Sequence, residues 1–285
     1  MRRVTRLPRL PRRERDSHKG TFGHALVLGG SPGLTGAPAL SALGALRSGA
    51  GLATVGCPRG VQAIVAGYSP CLMTLGLPES ASGTVSHAAL APALRFSSRC
   101  RAVVIGPGLG RDRGTGQFVR SFLSSVESAA VVDADGLNLL AGSAELLHDA
   151  PGSFVLTPHP GEAGRLLGLP ASAPIPADRR RAALDLAAAT GGVVVLKGHR
   201  TLVTDGERLF ENRTGNPGMA TGGTGDVLAG VIAALLAQRL DPFDAAVLGV
   251  AVHGRAGDLA AGRVGEVSLV ATDLLEALPD AFRRQ

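Results

Sequence analysis

Six short apolar runs rich in β-branched residues, each stopped by a glycine, a proline or a polar side chain, constrain this chain more than any other feature. They are ALVLGG from Ala25, LATVGCP from Leu52, AVVIGPG from Ala102, AAVVDADG from Ala129, FVLTPHP from Phe154 and VVVLKG from Val193. None alternates apolar with polar residues, as a strand with one wet face would. Continuous runs of this kind predict parallel strands covered by helices on both faces. Between them lie Ala- and Leu-rich stretches of helical length at residues 37–49, 116–126, 136–147 and 178–190. The short segment RLFENRTG at 208–215 follows, and three further helices are expected at 226–238, 244–261 and 271–282. Such alternation is the pattern of an α/β fold. With no internal repeat and no linker, one domain from residue 20 to residue 285 is the simplest division.

The formal net charge is +6, and its position matters more than its size. Residues 1–19 carry eight basic and two acidic side chains, so this arm holds the whole excess and the remainder is neutral. Too rich in proline and charge for a helix with a buried face, the arm reads as a mobile extension, and a neutral body argues against a nucleic-acid partner. Arg2 and Arg3 are not followed by the apolar stretch of an export signal. The longest apolar run, Val227–Ala237, is far short of the ~20 residues that cross a bilayer, so no membrane span is expected. Cys57, Cys71 and Cys100 are odd in number and widely spaced, giving neither a disulfide framework nor a cysteine metal site; this fits a reducing cytoplasm.

In open α/β sheets, ligands bind beyond the carboxyl ends of the strands. Five of the six runs end there in groups suited to a ligand: Gly29-Gly30-Ser31, Gly106-Pro107-Gly108, Asp133 with Asp135, His159 to Glu162, and Lys197-Gly198. The most specific stretch is NPGMATGGTGDVLAG, residues 216–230, a glycine-rich turn running into an apolar helix. It is not a Walker A loop, because Thr224 rather than lysine follows Gly223. GPGLGR at 106–111 likewise puts Arg111 where the third glycine of a dinucleotide fingerprint belongs. Backbone N–H groups of Gly223, Thr224 and Gly225, aided by the positive end of the helix, form an anion hole whose natural guest is phosphate. Asp226 then has two readings. Beside a phosphate it is a general base for an attacking hydroxyl. Alternatively it is an N-cap, stabilising the helix by ~1 kcal/mol with no chemistry at all.

Together with KGTFGHALVLGGSPGLTGAP at 19–38, LTPHPGEAGRLLG at 156–168, VVLKGHRTLVTDG at 194–206 and AVHGRAGDLAA at 251–261, these motifs stand in the order found in ADP-dependent NAD(P)H-hydrate dehydratases. The chain resembles that ribokinase-like family from residue 19 to about residue 283. The resemblance implies a three-layer α/β/α domain with a mainly parallel central sheet. It implies that the ring hydroxyl of the S epimer of hydrated NADH or NADPH is phosphorylated from ADP, after which the ring nitrogen expels phosphate, restoring the coenzyme and leaving AMP. It places Ala37, Gly108, His159 and Asp226 against the hydrated dinucleotide. Lys197, Gly198, His199, Arg200, Thr201 and Gly225 fall around the adenine nucleotide. Mg²⁺ accompanies the phosphates; Asp133, Asp135 and Asn138 either hold it through water or serve as turn and capping residues. Glu162 reads as a helix cap and His253 as an interior histidine. ATP stays open as donor. The family further implies a cytoplasmic homo-oligomer, often a tetramer, and a separate epimerase, since only the basic arm stands ahead of the domain. A small-alcohol kinase of the same scaffold would use the same Asp226 and turn. A nucleotide sensor or an RNA-associated protein recruited by the arm would show no turnover.

Overall fold

Each of the six apolar runs forms a strand of one sheet in the computed structural model of the chain, which describes residues 1–169 and 178–283. In chain order the elements are β1 (Arg2–Val4), β2 (His24–Leu28), α1 (Gly36–Arg47), β3 (Leu52–Pro58), α2 (Arg59–Gly67), β4 (Met73–Leu77), α3 (Leu90–Ser97), β5 (Ala102–Ile105) and α4 (Arg113–Leu123). They continue with β6 (Ala129–Val132), α5 (Asp135–Leu140), β7 (Phe154–Leu156), α6 (Pro160–Leu166), α7 (Arg179–Thr190), β8 (Val193–Leu196), β9 (Leu202–Thr204) and β10 (Arg208–Glu211). Three long helices close the chain: α8 (Thr224–Ala237), α9 (Pro242–Val264) and α10 (Ala271–Arg283).

Among the described residues the sheet runs β1-β10-β9-β8-β7-β6-β5-β2-β3-β4. From β8 to β4 every pair is parallel, while β9 is antiparallel to both β8 and β10. Successive side chains of one strand feed opposite cores, which is why the runs are apolar throughout. Val27, Val104 and Val131 enter a core built with α1, α8, α9 and α10; Leu26, Leu28, Val103 and Ile105 enter the one roofed by α4, α5 and α7. Helix α8 is apolar on all sides because it is covered on all sides, by the sheet, α1 and α9. Its Gly230 permits the approach of α1, since a Cβ there would lie 1.8 Å from the Ser41 carbonyl oxygen. No described helix is long and apolar enough to cross a membrane.

Three features differ from the sequence reading. The arm expected to move freely is seated: β1 pairs in parallel with β10, Arg3 opposite Leu209. Leu7 and Leu10 pack against the first core, and Arg13 donates to the Gly49 carbonyl at 2.9 Å while lying over the Phe22 ring. The reason is the edge of β10, whose unpaired backbone groups accept any extended segment. Residues 136–147 do not form one helix. Helix α5 stops at Leu140, Gly142 adopts a φ of 77°, and a 3₁₀ turn follows at Ala144–Leu147. RLFENRTG contributes β10, joined to β9 by a turn in which Asp205 Oδ1 accepts from the Glu207 and Arg208 amides.

The sheet's order reverses at β2, flanked by β3 on one side and β5 on the other. A crevice opens at such a switch point. There the Gly30 amide donates to the Pro107 carbonyl at 2.9 Å and Ser31 Oγ to the Gly108 carbonyl at 2.8 Å, locking the two glycine loops together.

Candidate active site

The glycine turn is shaped from outside itself. Helix α9 supplies two anchors: His253 Nε2 donates to the Thr224 carbonyl at 2.8 Å, and Asp258 accepts from the Gly215 amide at 2.9 Å and from Asn216 Nδ2 at 3.1 Å. Thr224 Oγ1 donates back to the Met219 and Thr221 carbonyls. Gly223, with φ of 91°, is the residue that caps α8, and no side chain caps the helix. The turn's N–H groups therefore stay available to an anion. Asp226 stands at the third helical position, so the capping reading of this residue does not hold. Its carboxylate makes no hydrogen bond among the described residues. Burial first, then the neighbouring Asp133, push its pKa from 3.8 up to about 7, against the pull of Lys197.

Asp133, buried at the end of β6, accepts through Oδ1 from Thr157 Oγ1 at 2.7 Å and from Lys197 Nζ at 2.8 Å. Burial would lower the Lys197 pKa, but Asp133 and then Glu162, 3.9 Å away, outweigh it and raise it, so the ammonium stays charged. Gly225 lets that ammonium lie against the turn: a Cβ there would sit 3.4 Å from Nζ. Between the two acids, Ala134 adopts φ of 49°, a strained conformation for a residue with a Cβ. This turn sends Asp133 toward Lys197 and Asp135 toward the switch-point loop, where Asp135 accepts from the Gly110 amide at 3.0 Å and from Arg111 Nε at 2.7 Å. Asn138 Oδ1 accepts from Arg165 Nε at 2.8 Å. Asp135 and Asn138 are thus tethers for arginines. No group of three or more His, Cys, Asp or Glu among the described residues is arranged to hold a metal ion.

His159 and Glu162 cap α6 reciprocally: His159 Nδ1 accepts from the Gly161 and Glu162 amides, and Glu162 Oε2 accepts from the His159 amide at 2.8 Å. The capping role read for Glu162 is borne out. With Nδ1 accepting, the ring proton resides on Nε2. Burial, then Lys197 and Arg165, lower the His159 pKa.

A cavity of about 900 Å³ opens at the carboxyl end of the sheet. Lys197, Gly198, His199, Arg200, Thr201 and Gly225 all line it, with His159 and Thr224 beside them. The KGHRT loop holds an unusual backbone, with φ of 132° at Gly198 and 55° at Arg200. Arg179 of α7 fastens it, donating to the Leu196 and Lys197 carbonyls at 3.1 Å each and to the His199 carbonyl. Ala37 and Gly108 lie outside this cavity, against one another at the switch point, where a Gly108 Cβ would be 3.4 Å from Cβ of Ala37. The first turn of α8 borders the cavity and packs on α1, the helix that carries Ala37; Asp226 itself is not among the residues that line the cavity. Gly225 borders Lys197 on the cavity side, while a Cβ at Gly223 would meet Leu40 of α1 at 2.6 Å. Arg179, His253 and Asp258 escaped the sequence reading as site residues, because each acts on backbone far away in sequence.

The model of the NAD(P)H-hydrate dehydratase family matches residues 25–280. The chain belongs to that family. Curated dehydratase relatives include the bifunctional NAD(P)H-hydrate repair enzyme Nnr of Moorella thermoacetica, 49% identical over 276 residues, which cover 96% of this chain and 52% of that protein. The ADP-dependent (S)-NAD(P)H-hydrate dehydratase of Neisseria meningitidis is 40% identical over 251 residues, 87% of this chain and 80% of that protein. The chain spans about half the length of the bifunctional relatives. Among solved dehydratase structures, the ADP/ATP-dependent NAD(P)H-hydrate dehydratase of Bacillus subtilis, co-crystallised with ATP/Mg²⁺, superposes with a TM-score of 0.79 at 31% identity, covering 96% of this chain and 94% of that one. The hydroxyethylthiazole kinase of Pyrococcus horikoshii, at a TM-score of 0.62 and 16% identity over 94% of this chain and 90% of its own, shares the ribokinase-like fold alone.

Proposed function

We propose that this dehydratase uses ADP to restore hydrated NADH and NADPH, acting on the S epimer. The observation that carries the reading is Asp226, a carboxylate without a hydrogen bond among the described residues, in the helical turn that borders the nucleotide-sized cavity and packs on α1, the helix of Ala37. With ADP in the cavity among Lys197, Gly198, His199, Arg200, Thr201 and Gly225, its β-phosphate reaches the N–H groups of Gly223, Thr224 and Gly225. The hydrated nicotinamide enters from the switch-point side along Ala37 and Gly108, with His159 at the margin of the ADP cavity. Asp226 takes the proton of the ring hydroxyl as its oxygen attacks the β-phosphorus, and AMP leaves with the bridging oxygen. The turn holds the charge of the transferred group. The hydroxyl is now a phosphate ester. The ring nitrogen's lone pair expels phosphate, and loss of a proton from the adjacent ring carbon regenerates the dihydronicotinamide.

Mg²⁺ keeps most of its waters and takes few carboxylates, so phosphate oxygens would be its main ligands. Asp226 and the free Oδ2 of Asp133 are the carboxylate oxygens beside the turn, and the ion would shield phosphate charge there. The reading pairs the chain with an NAD(P)H-hydrate epimerase, supported by bifunctional relatives about twice as long, and includes a cytoplasmic tetramer.

The test is incubation with hydrated NADH, magnesium and either ADP or ATP. Reduced-nicotinamide absorbance should return with ADP, one AMP and one phosphate appearing per coenzyme restored. Faster recovery with ATP would reassign the donor. Recovery with neither, or preferred phosphorylation of a thiazole or pyrimidine alcohol, would overturn the proposal.

A further inference from the structure

We infer that Arg111 and Arg165 form a binding site for the diphosphate that joins the two nucleosides of the hydrated coenzyme. This rests on the dehydratase reading above. Asp135 and Asn138 are three residues apart on α5, so their side chains share one face, with Cβ atoms roughly 5–6 Å apart. Each grips a different arginine by Nε alone: Asp135 Oδ1 holds Arg111 at 2.7 Å and Asn138 Oδ1 holds Arg165 at 2.8 Å. Neither guanidinium makes a further hydrogen bond among the described residues. A guanidinium fixed at Nε has its plane set and its two terminal nitrogens free, the geometry that takes phosphate oxygens in pairs.

A salt-bridge explanation covers only half of the arrangement. Asp135 is a counter-ion to Arg111, but Asn138 is neutral and orients Arg165 without charge. Location points to the acceptor side. Arg111 follows Gly108 and Gly110 in the switch-point loop, and Asn138 draws Arg165, which lies near His159 at the margin of the donor cavity, to the same face of α5. Neither arginine lines the donor cavity. Four carboxylates surround the reacting centre, Asp133, Asp135, Glu162 and Asp226, and Lys197 is engaged by Asp133. A dinucleotide with two negative charges needs a separate cationic hold to approach them, and this pair of guanidinium groups supplies it.

The experiment compares Arg111→Gln, Arg165→Gln and the double variant. Each single change should raise KM for hydrated NADH about tenfold, and the pair about a hundredfold, as for loss of charge-assisted bonds. KM for ADP and kcat should stay within about twofold, and Lys at either position should restore part of the loss, as a charge without the paired geometry. The deficit should vanish on hydrated reduced nicotinamide riboside, which lacks the diphosphate. A rise in KM for ADP instead, an unchanged KM for the hydrate, or an equal loss on the riboside would overturn the assignment. Calorimetric titration with intact NADH reads the site without turnover. Binding about a hundredfold weaker in the double variant, at unchanged Tm, supports it even if wild type restores no coenzyme, and equal binding refutes it.

Discussion

Replacing Asp226 by asparagine separates what this carboxylate does for the reaction from what it costs the fold. Its pKa rises from 3.8 in the unfolded chain to about 7 in the folded protein, burial and Asp133 being the main causes. Between those values the folded protein retains a proton that the unfolded chain has released, so stability falls as pH rises through the window. At ~1.4 kcal/mol for each pKa unit, the ionised carboxylate costs at most about 4 kcal/mol above pH 7. Asp226 is only partly buried, and solvent screening reduces that to about 1–2 kcal/mol, while interaction with the N-terminus of α8 returns about 0.3–1 kcal/mol. Asparagine carries neither the charge nor the penalty, and no hydrogen bond is lost with the carboxylate. The variant is therefore expected to melt at a higher temperature than wild type at pH 8, the gap closing as pH falls toward 4. Turnover should drop by about 10²–10⁴, the contribution of a general base. Thermal melts across pH, beside the coenzyme-restoration assay with ADP, measure both. Wild-type activity in the variant would end the base role. A lower melting temperature at pH 8 would show that the site stabilises this charge rather than straining against it.

Further outcomes follow from the same geometry. In wild type, kcat/KM should climb with pH and level off above about 7 as Asp226 ionises; a profile flat from pH 5 to 8 would contradict the assignment. Burial drives the His253 pKa down to about 4, so this histidine stays neutral and contributes no such limb. His253→Leu removes the second hydrogen bond from the Thr224 carbonyl, which keeps its helical bond from the Leu228 amide, costing about 0.5–1.5 kcal/mol and raising KM for ADP; an unchanged melt with unchanged KM would free the turn from α9. Gly225→Ala should fold normally, its Cβ 3.4 Å from Lys197 Nζ, yet weaken ADP binding. Gly223→Ala should melt early, with φ of 91° and Leu40 only 2.6 Å away; the reverse order would refute this account of the turn. Deleting residues 1–10 exposes the edge of β10 and uncovers the surface under Leu7 and Leu10, so the melting temperature should fall and aggregation should increase. A truncated protein as stable as wild type would mean that the arm adds nothing.

The strands were legible because continuous apolar runs of this length have few alternatives once Gly, Pro or Asp ends them. The edge elements were not. Strand β4, MTLGL, is partly exposed, β10 carries Arg208 and Glu211, and β1 opens with two arginines, so none shows the buried pattern. The candidate site was legible where its residues sit in short consecutive motifs: those of KGHRT, with Gly225, line one cavity. It was illegible where a residue works on distant backbone. Arg179 begins an ordinary charged helix, and only its three carbonyl partners at 196, 197 and 199 reveal it as a clamp.

Taken alone, the order of residues determined the layered architecture, the glycine-rich turn that opens α8 and the set of groups at the strand ends, because period, glycine and helix start are local properties. Tertiary structure alone decided what Asp226 is. Gly223, not Asp226, caps α8; Asp133 and Lys197, 64 positions apart, meet beside the turn and set its charge; and His253, 29 positions away, holds the Thr224 carbonyl. Burial and electrostatic environment depend on which distant segments cover a group, and no local pattern carries that information.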